Sequence, residues 1–176
     1  MADTLELYNL IKNYKLADEN KVGMLGGSAG GRMVYKAVAN VNWIKAAVSI
    51  AGPSDEETSL QDRGEDMKTT LTKYYDITSQ LELDKRSAIK WVDKFSKTTP
   101  LLLLHGTSDW RVKVTHSINL AQKLYENKVP YRLIILEGAD HSINEFKGEF
   151  VNQVKSWFDR YLKNSEQMPN LELHGR

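Results

Sequence analysis

Apolar residues fall along this chain in two alternating rhythms. Val22–Leu25, Ala46–Ala51, Pro100–Leu104 and Tyr131–Leu136 are short continuous apolar runs. Gly, Pro or polar residues close each run, as in Gly26-Gly27, Gly52-Pro53, Gly106 and Glu137-Gly138. Runs of this length between turn residues predict buried strands of a parallel sheet. Between them the apolar positions recur near the helical period. Leu7, Leu10, Ile11 and Tyr14 predict a helix over 3–14, and Met33, Val34 and Val38 predict one over 31–39. Ile118, Ala121 and Leu124 predict a helix over 115–127, and Phe150, Val154, Trp157 and Tyr161 predict the last, over 146–162.

Strands alternating with helices imply right-handed crossovers and a three-layer α/β sandwich, with helices on both faces of a mainly parallel sheet of about four strands. Residues 54–97 break the rhythm. They are polar and charged, with helical segments expected around 62–75 and 87–95, and they read as a helical insertion over a site. Residues 164–176 form a polar tail.

Composition narrows the function classes. At 176 residues, with 41% hydrophobic and 27% charged residues, the chain reads as a single soluble globular domain over 1–176. A net charge of +1 provides no basic field for nucleic acid. The absence of cysteine excludes thiol catalysis, disulfides and Cys-ligated zinc. His105, His116, His141 and His174 show no i, i+4 pairing, so neither a metal nor a cofactor is implied. No run reaches membrane-spanning length and no leader pattern opens the chain, so the expected location is cytoplasmic.

The chemistry begins at Gly26-Gly27-Ser28-Ala29-Gly30, a G-x-S-x-G between a strand and a helix. On such a turn a serine is held in a strained backbone conformation, and its hydroxyl stands above the end of the sheet. Flanking glycines at 26 and 30 are expected to relieve crowding. The helix N-terminus points its positive end at the same place, and the Ala29 N–H is an oxyanion donor. By itself the motif also fits a Gly-rich turn that packs closely or holds a phosphate. No Gly-Lys-Ser/Thr follows, so it is not a P-loop.

Two further loops leave the C-terminal ends of apolar runs. Thr107–Val112 carries Asp109, and Glu137–Ser142 carries His141, with Asp140 and Ser108 as neighbouring alternatives. Ser28, Asp109 and His141 follow the chain order of the α/β-hydrolase triad. In that arrangement Ser28 is the nucleophile, His141 the base and then acid, and Asp109 the group that orients the imidazole.

Gly26-Gly-Ser-Ala-Gly-Gly31, His105-Gly-Thr-Ser-Asp-Trp-Arg-Val112 and Glu137-Gly-Ala-Asp-His141 resemble the catalytic domain of the prolyl oligopeptidase family of serine peptidases, nearest to its acylaminoacyl-peptidase and dipeptidyl-peptidase branches. Lys85-Arg-Ser-Ala-Ile89 adds to the resemblance, which runs from about residue 5 to 163. It implies an α/β-hydrolase fold and cofactor-free cleavage of peptide or acyl-peptide bonds through an acyl-enzyme on Ser28. Dienelactone-hydrolase-like esterases and a non-catalytic relative are the alternatives.

The resemblance covers only the C-terminal half of such a domain. It implies that the earlier strands, and the loop giving a second oxyanion donor, lie outside this sequence. The Val22–Leu25 strand then has an open edge, and self-association there is expected. Ala29 stands where the family often has an aromatic residue, and Trp110-Arg111 replaces a more usual polar pair.

Overall fold

The computed structural model describes residues 2–174. Four strands, β1 (Val22–Gly27), β2 (Ile44–Ile50), β3 (Leu101–Gly106) and β4 (Tyr131–Leu136), form one sheet in the order β1-β2-β3-β4. Every neighbouring pair is parallel. The four apolar runs therefore lie side by side in chain order, and their C-terminal ends share one rim. β3 is buried at every position, as its run of leucines requires.

Helices α1 (Ala2–Asn13), α2 (Ala29–Asn40), α6 (Thr115–Glu126) and α7 (Lys147–Phe158) occupy the predicted places. On one face, Val34, Tyr35 and Val38 of α2 and Leu120 and Leu124 of α6 pack with Ile44, Leu101 and Leu103. On the other, Trp157 of α7 and Tyr161 pack with Ala46, Val48, Leu102 and Leu104. The alternation of β2 and β3 side chains across the sheet builds both cores. α1 lies along the β1 edge, where Tyr8 stacks on Trp43 with ring centroids 4.2 Å apart. Leu7 and Leu10 remain exposed, as does Leu25 on β1.

Between β2 and β3 the chain forms three short helices, α3 (Glu56–Gln61), α4 (Glu65–Leu71) and α5 (Gln80–Arg86). The expected helix around 87–95 is instead two 3₁₀ turns, Ala88–Lys90 and Val92–Lys94. Val92 and Phe95 are drawn into the core, which favours tight turns over one amphipathic helix. Asp55 and Ser79 cap α3 and α5, accepting from Glu57 N–H and Glu82 N–H. Those caps delimit helices that apolar spacing does not reveal.

Glu56 ties this segment to α2. It is buried, ion-paired to Arg32 of α2, and accepts a hydrogen bond from the Tyr75 hydroxyl. The Ser87 hydroxyl accepts from Glu56 N–H at 2.8 Å. Among the described residues no helix is long and apolar enough to cross a membrane.

Candidate active site

Ser28 sits between β1 and α2 with φ 53° and ψ −120°, a conformation that L residues rarely adopt. The backbone around it holds that geometry. Ser28 N–H donates to the Ile50 carbonyl at 2.8 Å, and the Ser28 carbonyl accepts from Gly31 N–H at 2.9 Å. Position 26 has no room for a side chain, because a Cβ there would overlap the Gly30 carbonyl. The converse expectation fails: a Cβ on Gly30 would meet nothing within 4 Å, so the crowding runs from residue 26 toward the Gly30 backbone only. Ala29 opens α2, so its N–H has no partner inside the helix and faces the end where an anion is favoured.

The loops after β3 and β4 are fastened to one another. Gly106 lies against Ala139, and a Cβ there would collide with the Ala139 backbone. Ser108 N–H donates to the Ala139 carbonyl at 3.0 Å, and Gly138 N–H to the Thr107 hydroxyl at 2.8 Å. This close approach brings Asp109 and His141 together, with His141 Nδ1 2.7 Å from Asp109 Oδ2. Asp109 Oδ1 accepts from Arg111 N–H and Val112 N–H, both at 2.9 Å. The Asp109 side chain is fully buried and has donors on both oxygens, as a buried charge requires. Asp140 is occupied locally: its Oδ1 accepts from Ser142 N–H at 2.7 Å and Ile143 N–H at 3.0 Å. Asp109, and not Asp140, is therefore the carboxylate bonded to His141.

With Nδ1–H given to Asp109, the His141 Nε2 carries the lone pair. Among the described residues no hydrogen bond joins it to Ser28 Oγ. The Asp–His pair is assembled, and the His–Ser contact is open. Such contacts commonly tighten only when substrate binds.

His105 was legible as part of a motif, but its contact was not. It is fully buried on β3, with Nε2 2.7 Å from the Val112 carbonyl and 3.2 Å from Asp109 Oδ2. A carbonyl only accepts, so Nε2 bears the hydrogen and Nδ1 accepts from the Ser117 hydroxyl at 2.7 Å. Burial pushes the His105 pKa below its ordinary value, more than Asp109 raises it, which keeps the ring neutral. His105 thus supports Asp109 from behind while His141 meets it from the front.

Beside Ser28 and Ala29 opens a cavity of about 520 Å³. Asp62, Arg63 and Met67 from the α3–α4 region line one wall, and Trp110, Arg111 and Val112 line another. Asp62, Arg63 and Met67 thus share this cavity with Ser28. Among the described residues no group of His, Cys, Asp and Glu is placed to hold a metal ion.

Residues 1–165 match the model of the prolyl oligopeptidase family. Acylamino-acid-releasing enzyme 1 of Oryza sativa subsp. japonica is 24% identical over 174 residues, covering 91% of this chain and 22% of that protein. The Bacillus subtilis protein YitV, named as an esterase, is 27% identical over 173 residues, covering 90% of this chain and 66% of that protein. Among solved structures, the Pyrococcus horikoshii acylaminoacyl peptidase superposes with a TM-score of 0.84 at 22% identity, covering 96% of this chain and 28% of that one. The fold is thus α/β-hydrolase-like, and the chain spans roughly a fifth to a quarter of the length of these peptidases. With the family model matching nearly its whole length, this chain belongs to the prolyl oligopeptidase family.

Proposed function

We propose that this chain is the C-terminal half of a serine-hydrolase catalytic domain, cleaving peptide or acyl-peptide bonds through an acyl-enzyme on Ser28. The observation that carries the reading is the Asp109–His141 hydrogen bond at 2.7 Å, on the same rim of the sheet as a serine held at positive φ. In this mechanism His141 Nε2 takes the Ser28 proton as the hydroxyl attacks the carbonyl carbon. Asp109 stabilises the resulting imidazolium, and the Ala29 N–H receives the developing oxyanion. His141 then protonates the leaving amine, and water releases the acyl group by the same steps in reverse order.

A fluorophosphonate probe tests the nucleophile directly. Labelling is expected on Ser28 and lost in both Ser28→Ala and His141→Ala. Because the pair acts as a unit, the double variant should hydrolyse an activated ester hardly more slowly than either single one. Additive losses, or labelling elsewhere, would reject the assignment.

An esterase is the second reading, supported by the likeness to YitV, of which the chain covers 66%. Turnover of simple esters without any turnover of acyl-peptides would favour it. For assembly, the side of β1 that pairs with no strand among the described residues and the exposed Leu25 support self-association through that edge, which sedimentation at increasing concentration measures.

A further inference from the structure

The cavity beside Ser28 differs in its charge from the apolar pockets that usually hold small substrates. Two arginines line it, Arg63 from the turn between α3 and α4 and Arg111 from the loop after β3. Among the described residues neither takes part in an ion pair. The one carboxylate on the wall, Asp62, is already neutralised by an ion pair with Lys113. The wall therefore carries two uncompensated positive charges within one cavity. Arg111 lies over the Trp110 ring at 5.0 Å from its centroid, a stacking that limits the freedom of its head group. Trp110 and Met67 supply the apolar surface on which an aliphatic stem would rest.

The nucleophile and the oxyanion donor stand on this same wall. A carbonyl carbon attacked by Ser28, with its oxygen at the Ala29 N–H, thus sits at the cavity's edge. The chain of the acyl group that stays on the serine is then the part the cavity holds.

We propose that this cavity selects substrates with a carboxylate on the acyl side of the scissile bond, such as an acidic residue whose carbonyl is attacked, with Arg63 and Arg111 as the specificity-determining residues. The inference rests on the reading of Ser28 as nucleophile, and it carries a test that does not need turnover. Bidentate pairing of a carboxylate by a guanidinium is geometrically specific, whereas a neutral amide of the same size gains little from it.

The probes are the aminomethylcoumarin amides of N-acetylglutamate and N-acetylglutamine. In the Ser28→Ala protein, titration with the glutamate compound should shift the backbone amide resonances of residues 63 and 110–112. The glutamine compound should shift them far less, and added salt should weaken the response. The Arg63→Gln/Arg111→Gln double variant should lose the difference; both side chains are at least partly exposed, so the fold should not depend on them. In the active protein the glutamate compound should be cleaved with a kcat/KM about tenfold higher, the ratio falling to about one in the double variant, in line with two partly exposed charge contacts. Equal responses to the two compounds in the Ser28→Ala titration would overturn the proposal whether or not the protein turns over either one. A leaving-side pair, N-acetylalanyl-glutamate amide against its glutamine counterpart, distinguishes the source of the carboxylate. Preference confined to that pair would also overturn the acyl-side assignment. Absence of cleavage together with a carboxylate-dependent shift would reject the catalytic reading and leave the pocket's selectivity standing.

Discussion

Asp109 concentrates the local chemistry in one side chain. Its three hydrogen-bonding partners are two backbone amides and His141, and His105 Nε2 stands 3.2 Å from its Oδ2. A carboxylate so fixed cannot rotate away from the imidazole. Asp109→Asn should therefore leave the backbone turn intact while presenting the wrong group to His141 Nδ1. The expected loss is on the order of 10⁴ in turnover of an acyl substrate. Asp140→Asn should cost little turnover, because an asparagine oxygen still caps Ser142 and Ile143. Steady-state kinetics on the two variants decide between the carboxylates, and a larger loss from Asp140→Asn would reverse the assignment.

Among the elements, the polar segment between β2 and β3 is the one whose packing shapes the site. Glu56, 1% exposed, joins α3 to Arg32 on α2, one turn beyond Ser28. A buried charge left without its partner is costly, whereas an intact pair contributes little net stability. Arg32→Met should therefore destabilise the protein by roughly 3 kcal/mol or more by stranding Glu56. The double change Arg32→Met/Glu56→Gln should recover much of that loss. Chemical denaturation of the three variants measures the coupling, and simple additivity would show that the pair does not act as a unit. The strain at this rim has a matching pattern. Ser28 and Ala51 both take positive φ at the C-terminal ends of their strands, where the neighbouring strand holds the backbone: Ser28 N–H donates to the Ile50 carbonyl and Ala51 N–H to the Leu104 carbonyl, each at 2.8 Å.

Across the whole molecule, two buried histidines couple stability to pH. Burial lowers the pKa values of both His105 and His116 below the ordinary 6.5. Between the lowered folded values and 6.5, the unfolded chain takes up protons that the folded chain refuses. Stability is therefore fully present above about 6.5 and declines as the pH falls through that value. Thermal melts between pH 8 and 5 should show a falling midpoint, by about 2–4 °C for each kcal/mol lost in a chain of this size. His116→Asn should flatten part of that slope. His116 accepts from Ser54 N–H through Nδ1 at 3.3 Å, which an asparagine oxygen can imitate. A midpoint that is level or rises on acidification would show that the imidazoles charge without unfolding the protein.

Periodicity and loop chemistry were enough to place the four strands, four of the helices and the order of Ser28, Asp109 and His141. Continuous apolar runs have few ways to be buried, and the residues that leave their C-terminal ends must share a rim once the strands are parallel. The short helices α3 and α5 were not legible, because their limits come from Asp55 and Ser79 capping bonds and from Glu56 anchoring, not from an apolar stripe. Asp109 was chosen from the sequence with Asp140 as the alternative, and the contact that separates the two is tertiary. Both carboxylates are close in sequence to a turn, and only the Gly106–Ala139 approach puts one of them against the imidazole. The same holds for His105 behind Asp109, and for Arg63 and Arg111, 48 positions apart in sequence yet on one cavity wall. Local sequence decides which residues are available and how each segment bends; which groups share a charge, a proton or a cavity depends on long-range packing that no window of the chain contains.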